Sequence, residues 1–449
     1  MNLDNLLKRL KIFSQFVVSL SIVCSAIQGS SQSILTPDEA VRTAIENNYG
    51  ILMAQRDIQL AANNATKTAL GYQPMISATA GPSLNLGSSK QQFGNGGENK
   101  VSNALSYRAN ASVDANYIIY DEARATTLEQ LREVLNLSNL QLRQTIEINV
   151  LQIIRLYYEI AKLTSNLAVL SQTIELSNQR LQRVQYQFDY GQGIGLDVLN
   201  AQVDVQRDSI NYFNTLQLLE NTKRDLNVLL AADLNTDFEV DTSVNYADIQ
   251  LDAIVNDALA QNIDILLLAK NYDITTYDLK VIDGERKPRI SAVGSYTFSF
   301  QDNPPGAFTT FSTSRGLNLG ASLNWNIFDG GLRKLREQNT QINLETQRLQ
   351  QDQVELELRR DITNGWEAYQ NALFILKSEA INLSTSRANF DRTEERFNIG
   401  QVSSVEFRQA QLNLLNASTN FNNAKFDAKL IELQLQQMAG NILAALEVE

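Results

Sequence analysis

Residues 289–329 read RISAVGSYTFSFQDNPPGAFTTFSTSRGLNLGASLNWNIFD. In the first part Ile290, Ala292, Gly294, Tyr296, Phe298 and Phe300 alternate with Ser291, Val293, Ser295, Thr297 and Ser299. In the second, Leu317, Leu319, Ala321, Leu323, Trp325 and Ile327 alternate with Asn318, Gly320, Ser322, Asn324 and Asn326. Side chains on a strand point to opposite faces in turn, so period-two alternation predicts two strands, each with one apolar face. The same pattern occurs earlier, with Ile76, Ala78, Ala80, Leu84 and Leu86, and then Leu105, Tyr107, Ala109, Ala111, Val113, Ala115, Tyr117 and Ile119. Any one of these runs would suit a soluble sheet with a buried face. Four of them, about ten residues or longer with aromatics near their ends, predict the wall of a transmembrane β-barrel. Tyr107, Tyr117, Phe298, Phe300 and Trp325 are expected to form its interfacial girdle, the plainer alternative being residues chosen for strand formation alone. Residues 88–103 and 301–315, rich in Gly, Asn, Ser and Pro, are expected to be exposed loops. Four strands cannot close a barrel, and in lipid the edges would leave backbone N–H and C=O groups unsatisfied. Several chains must therefore pool their strands.

Working outward, the strand runs recur within a repeated plan. Val41, Asn48, Ile51, Pro74, Ile76, Ser77 and Ala78 are spaced like Val255, Asn262, Ile265, Pro288, Ile290, Ser291 and Ala292. Farther on, Tyr120-Asp121 matches Phe328-Asp329, and Phe188-Asp189-Tyr190-Gly191-Gln192 matches Phe397-Asn398-Ile399-Gly400-Gln401. The reading is a tandem duplication: a first repeat at 32–232, a polar inter-repeat segment at 233–250 and a second repeat at 251–449. Each repeat opens with a short helix. Thr36 is the expected N-cap of the first, with Pro37 at its first position and Glu39 closing a capping box. A second helix is expected over residues 51–72. All six prolines lie at Pro37, Pro74, Pro82, Pro288, Pro304 and Pro305, so long helices are permitted elsewhere. One is positively indicated: Ile153, Leu156, Ile160, Leu163, Leu167, Leu170 and Ile174 recur at alternating steps of three and four, a coiled-coil seam. Residues 122–190 contain neither Gly nor Pro and predict a helix of about 100 Å at roughly 1.5 Å per residue. A matching helix is expected over residues 331–398.

The whole-chain composition excludes several function classes. A formal net charge of -12 with no basic stripe argues against a nucleic-acid partner. Lys8, Arg9 and Lys11 before an uncharged, mostly apolar run at 12–26 read as a secretory signal, expected to span residues 1–31. Ser14, Gln15, Ser19 and Ser21 dilute that run, which disfavours a spanning anchor. Cys24 is the sole cysteine; bulky Val23 precedes it, unlike lipoprotein signals, so it is expected to leave with the signal. With no His anywhere and no Cys in the mature chain, no thiolate nucleophile, imidazole base or imidazole metal ligand is at hand. Catalytic residues, cofactor and metal are all expected to be absent.

Where the long helices must reverse, the chain carries two related tips, FDYGQGIGLDVLNAQ at 188–202 and FNIGQVSSVEFRQAQ at 397–411. With the duplicated helix–strand–helix plan, these tips resemble those of the TolC-like outer-membrane efflux protein family, and the resemblance covers nearly the whole mature chain. It implies an α+β membrane protein: a homotrimer whose four strands per protomer make one twelve-stranded barrel in outer-membrane lipid, continued by a periplasmic α-helical tube. It also implies partners at the inner end of the tube, a periplasmic adaptor protein and an inner-membrane transporter. The rival reading, a periplasmic coiled-coil adaptor or scaffold, leaves the four strands unexplained. An enzyme is a more distant alternative.

Two groups of candidate site residues follow. Gly191, Gln192, Gly193 and Gly195 at one tip, with Gly400, Gln401, Ser403 and Ser404 at the other, supply turn freedom and helix caps, and the resemblance adds adaptor docking there. Asp197 and Glu406 stand at matching places after Gly191 and Gly400, and symmetric copies would ring the pore with carboxylates. Glu406 matches a position where the family carries an acidic constriction residue. The plainer reading of both is a carboxylate stabilising a helix N-terminus. Gln409 stands where the family has a second acidic residue, and Val402 and Phe397 where an Arg and a Tyr latch the closed state. Asp391, Glu394 and Glu395 read as a solvated face.

Overall fold

The computed structural model describes residues 34–305, 307 and 309–446. The expected signal at 1–31, with Cys24, lies outside the described residues. A short strand β1 (Ile34–Leu35) leads into helices α1 (Pro37–Asn47) and α2 (Tyr49–Asn64), then strands β2 (Met75–Gln92) and β3 (Glu98–Tyr120). Long helices α3 (Glu122–Asp189) and α4 (Gly195–Leu229) and strand β4 (Glu239–Val240) follow. The plan then recurs with α5 (Leu251–Gln261), α6 (Ile263–Gly284), β5 (Arg289–Asp302), β6 (Phe311–Asn324), α7 (Leu332–Asn398) and α8 (Ser404–Met438), ending in α9 (Ile442–Ala445). Three of the four helix pairs match closely in length, 11 and 11 residues for α1 and α5, 68 and 67 for α3 and α7, 35 and 35 for α4 and α8, while α2 and α6 differ at 16 and 22. No helix among the described residues is long and apolar enough to cross a membrane.

The chain forms two compact units, each drawing on both halves. One comprises Leu52–Thr145 and Leu259–Arg360. Its centre is an antiparallel sheet in the order β2-β3-β5-β6. The register fixes what each face carries. Ala80 lies opposite Ala111, which lies opposite Phe298; Val113 is flanked by Ala78 and Tyr296, and Tyr296 by Leu317. The intervening rows carry Ser77-Asp114-Ser295-Asn318, Thr79-Ser112-Thr297-Gly316 and Gly81-Asn110-Ser299-Ser314. One face is thus alkyl and aromatic, the other hydroxyl and amide. No layer covers the apolar face, for Leu84, Leu105, Leu317 and Leu319 are all more than half exposed. The outer strands β2 and β6 each keep one edge without a partner among the described residues.

Four expectations for this unit need correction. The predicted loop at 88–103 is largely strand: after a bulge at Gly87/Ser89 the ladder continues to Gln92 opposite Glu98, and Lys90 bonds Glu98 across it at 2.8 Å. The predicted loop at 301–315 is likewise shorter, since β5 extends to Asp302 and β6 begins at Phe311. Cross-strand pairing overrides turn-prone composition there. Trp325 and Ile327 instead fall beyond β6, and the Trp325 indole N–H donates to the Arg286 carbonyl at 2.9 Å. The helix expected over 51–72 stops at Asn64 because local side-chain bonds compete with it: the Thr66 hydroxyl donates to Asn63 O at 2.8 Å and accepts from Ala69 N. Aromatic contacts of 5.7 Å between Tyr107 and Phe300, and 5.3 Å between Phe300 and Phe311, cluster near the hairpin turns, while Tyr117 lies toward the helical end.

The other unit comprises the described residues up to Ile51, with Ile146–Ala258 and those from Asp361 onward. The predicted capping box of α1 is present, Thr36 and Glu39 each accepting the other's backbone N–H. The repeated asparagine also has a role, since Asn48 Oδ1 accepts from Gly50 N and Ile51 N at the start of α2. Its counterpart Asn262 caps α6 in the sheet-bearing unit. Seam residues Ile153, Ile160 and Leu163 are buried, in a core with Tyr157, Tyr158, Phe426 and Leu433. Within the inter-repeat segment, β4 pairs in parallel with β1, Leu35 opposite Val240. The segment is fastened by two buried tyrosines. Tyr157 Oη donates to Leu35 O at 2.8 Å and accepts from Asp241 N at 3.0 Å, while Tyr369 Oη donates to Ala247 O at 2.7 Å.

Candidate constriction at the hairpin tips

Both tips belong to the second unit and are built alike. At the end of α3, Gln192 N donates to Gln187 O at 2.8 Å and Gly191 N to Phe188 O at 3.0 Å; at the end of α7, Gln401 N donates to Arg396 O at 2.8 Å and Gly400 N to Phe397 O at 3.0 Å. These paired bonds satisfy the last helical carbonyls and require a left-handed residue after the helix. Gly191 at φ +71° and Gly400 at φ +77° supply it. Gly193 has a different task, since a Cβ there would lie 3.1 Å from Phe188 N.

The returning helices start differently. Ser403 caps α8 in a capping box with Glu406: Ser403 N donates to Glu406 Oε2 at 2.8 Å, the Ser403 hydroxyl to the same oxygen at 3.0 Å, and Glu406 N to Ser403 Oγ at 3.2 Å. The Ser403 backbone and hydroxyl donors, with Arg396 adding attraction, hold Glu406 below its usual carboxylate range. The cap reading of Glu406 is therefore realised. At the other tip α4 begins after Ile194, which offers no side-chain cap, and half-buried Asp197 sits in the first turn. Gln192 and Gln401 are exposed, but Ser404 turns inward, buried, accepting from Arg180 Nε at 2.9 Å. Gln409 is exposed and donates to Asn413 at 2.9 Å.

Phe397, standing where the resemblance implies a tyrosine, is buried and stacks on Phe407 at 4.6 Å. Val402 packs against the same cluster, which contains Val184, Val198, Phe390 and Ala410. Arg183 lies over the Phe397 ring at 5.1 Å and donates to Asn398, through Oδ1 at 2.9 Å and also through the carbonyl O. Of the residues expected on a solvated face, Asp391 and Glu395 are exposed; burial, and then Asp391, push the Glu394 carboxyl up.

Sequence reasoning missed the strongest feature of this region. Behind the tips, Arg408 of α8 forks onto Asp208 of α4 with both bonds at 2.7 Å, and Arg180 of α3 meets Asp204 of α4 at 2.6 Å. Ser177 donates to Asp208 at 2.6 Å, and Gln411 donates to Ser177 and to the Thr173 carbonyl at 2.9 Å each. Two guanidinium groups balance two carboxylates, so the buried charge is compensated. The available signal was Asp204 and Asp208 one turn apart on a helix with apolar neighbours. Also missed were the exposed apolar side chains at the tips, Tyr190, Ile194, Leu196, Ile399 and Val405. No group of three or more candidate metal ligands occurs among the described residues.

Residues 254–441 match the model of the family described as outer membrane efflux protein. The chain is 22% identical to outer membrane protein TolC of Vibrio cholerae over 441 residues, covering 94% of this chain and 95% of that protein. It is 19% identical to outer membrane efflux protein BepC of Brucella suis, over 95% of this chain and 91% of that one. Among solved structures, the CmeC outer membrane channel of Campylobacter jejuni superposes with a TM-score of 0.72 at 17% identity, covering 90% of this chain and 86% of the other. The outer-membrane channel OprN superposes with a TM-score of 0.69 at 17% identity, covering 90% of each chain. The family match over residues 254–441, the near full-length relatives and the shared fold point the same way: the chain is similar to the TolC-like outer-membrane efflux proteins.

Proposed function

We propose that this chain is one protomer of a trimeric export duct in the outer membrane. Three copies pool four strands each into a twelve-stranded barrel, and the long helices continue it as a periplasmic tube. Substrate enters from a periplasmic adaptor and an inner-membrane transporter and leaves to the exterior. The observation that carries this reading is the sheet: an exposed apolar face, a hydroxyl-and-amide face, and two open edges. In lipid such edges must find partners, and copies of the same chain supply them. The matched helix lengths support a tandem duplication with residues 233–250 as its joint.

At the inner end, Gly191, Gln192, Gly193, Gly195, Gly400, Gln401 and Ser403 form the adaptor-docking tips, with Tyr190, Ile194, Ile399 and Val405 adding apolar surface. Asp197 and Glu406 are the proposed constriction carboxylates. A capping bond and a pore position are compatible for Glu406, because it is exposed while bonded to Ser403. The proposed duct performs no bond chemistry and uses no cofactor or metal. Single Cys substitutions along residues 317–325 test the membrane placement: a water-soluble thiol reagent should modify Asn318→Cys and spare Leu319→Cys. Equal labelling of both would defeat the barrel.

A further inference from the structure

We infer that Arg108 and Asp114 form two rings of opposite charge on the lumen wall of the barrel and set its local ion preference. The inference rests on the barrel proposed above and adds a selectivity element distinct from the helical tips. Ser77, Thr79, Ser83, Asn110, Ser112, Ser295, Thr297, Ser299, Ser314 and Asn318 make the polar face almost entirely neutral. Arg108, flanked by Ser83 and Gln301, and Asp114, flanked by Ser77 and Ser295, are the charges set into it.

The other charges of the sheet go elsewhere. Asp302 and Arg315 lie in apolar rows, opposite Tyr107 and Phe298. Lys90, Glu98 and Lys100 alternate with Ser89, Gln91 and Asn99, and these last share a concavity with Ser106 and Gln301 of the polar face. Arg289, at the helical end, pairs with Asp121 at 3.8 Å.

Neither Arg108 nor Asp114 makes an ion pair within the described sheet; both are held by neutral partners. Arg108 Nη2 donates to Gln301 Oε1 at 3.2 Å, and Ser112 Oγ donates to Asp114 Oδ2 at 2.6 Å. The strand rises about 20 Å between them, roughly 15 Å along the axis at the tilt of barrel strands. That exceeds a Debye length of about 8 Å at physiological ionic strength, so the rings do not cancel. Arg108 is nearer the hairpin turn and Asp114 nearer α3, so a solute leaving the duct meets a cation-favouring ring first and an anion-favouring ring second.

The rings can be read locally, free of the resistance of the tips. In the full-length trimer reconstituted in lipid, with Cys24→Ser as background, Ser83→Cys places a thiol opposite Arg108, and Ser295→Cys places one opposite Asp114. Each is reacted at low salt with an anionic and a cationic methanethiosulfonate of similar size. The anion-to-cation rate ratio at Ser83→Cys should fall about threefold to tenfold on adding Arg108→Gln. The ratio at Ser295→Cys should rise by a similar factor on adding Asp114→Asn, and both effects should shrink in 1 M salt. Ratios that ignore removal of either charge, while both thiols react and Leu319→Cys does not, would overturn the rings and leave the barrel standing. Leu319→Cys reacting as fast as Ser295→Cys would remove the barrel and the rings with it.

Discussion

Arg408 and Asp208, 200 residues apart in sequence, meet in a two-bond fork behind the tips, tying the second turn of α8 to the fourth turn of α4. Fully surrounded charges gain from one another only while both are present. Arg408→Met should leave Asp208 buried without its partner and cost about 3–5 kcal/mol locally. The loss should be seen as faster amide exchange around Asp208 in α4 and around Arg408 near the start of α8. The double change Arg408→Met with Asp208→Leu should recover much of the protection. Exchange equally fast in single and double variants would mean that the fork does not hold these helices together.

Glu406 gives the tip a pH dependence of definite sign. Its folded pKa is depressed by the Ser403 donors, so its contribution is present above the ordinary carboxylate pKa and fades as pH falls through the depressed value. Amide protection at residues 404–407 should therefore weaken on acidification in the native chain and show no such titration in Glu406→Gln. The same variant tests the pore proposal. Single-channel recordings should show weaker cation preference and less block by multivalent cations, most clearly with Asp197→Asn added. Unaltered selectivity in the double variant would remove both residues from the constriction.

Tyr157 joins two backbone segments through one hydroxyl, and burial pushes its pKa up to about 12, so it stays neutral over the physiological range. Tyr157→Phe leaves Leu35 O and Asp241 N short of a partner, at a cost of about 1–3 kcal/mol. Proteolysis within residues 233–250 should accelerate. A native rate would show that the inter-repeat segment is held by other contacts.

At the tips, Gly191→Ala and Gly400→Ala should each cost about 1–2 kcal/mol, because alanine resists the left-handed backbone. Gly71→Ala, at φ +68° in the segment after α2, should lose comparable local stability without affecting the tips. Exchange rates of residues 187–192 and 396–401 distinguish the two cases.

Much of the architecture was readable because periodic burial imposes periodic sequence. Ile290 to Phe300 and Leu317 to Leu323 alternate since one face meets a different solvent from the other, and Ile153, Ile160 and Leu163 recur since one helical stripe is packed. The repeated spacing of residues made Asn48 and Asn262 recognisable as counterparts before either was seen to cap a helix. What stayed hidden depends on contacts between distant segments. Lys90 and Glu98 read as loop residues until the ladder brought them together across the turn. Ser404 read as a cap at an exposed tip, yet Arg180 draws it inward. Arg408 and Asp208 look like ordinary surface charges on helices until helix phase and packing turn both inward. The end of α2 at Asn64 was missed because Thr66 bonds within its own turn, a choice that composition leaves open.

The central claim is that three chains complete one barrel, and native mass measurement of the detergent-extracted complex tests it most directly. The account predicts a single dominant species of three protomers, each at or somewhat below the 50.2 kDa of the full chain. A stable monomer or dimer as the membrane-extracted species would contradict it, since neither supplies the twelve strands that the proposed barrel requires.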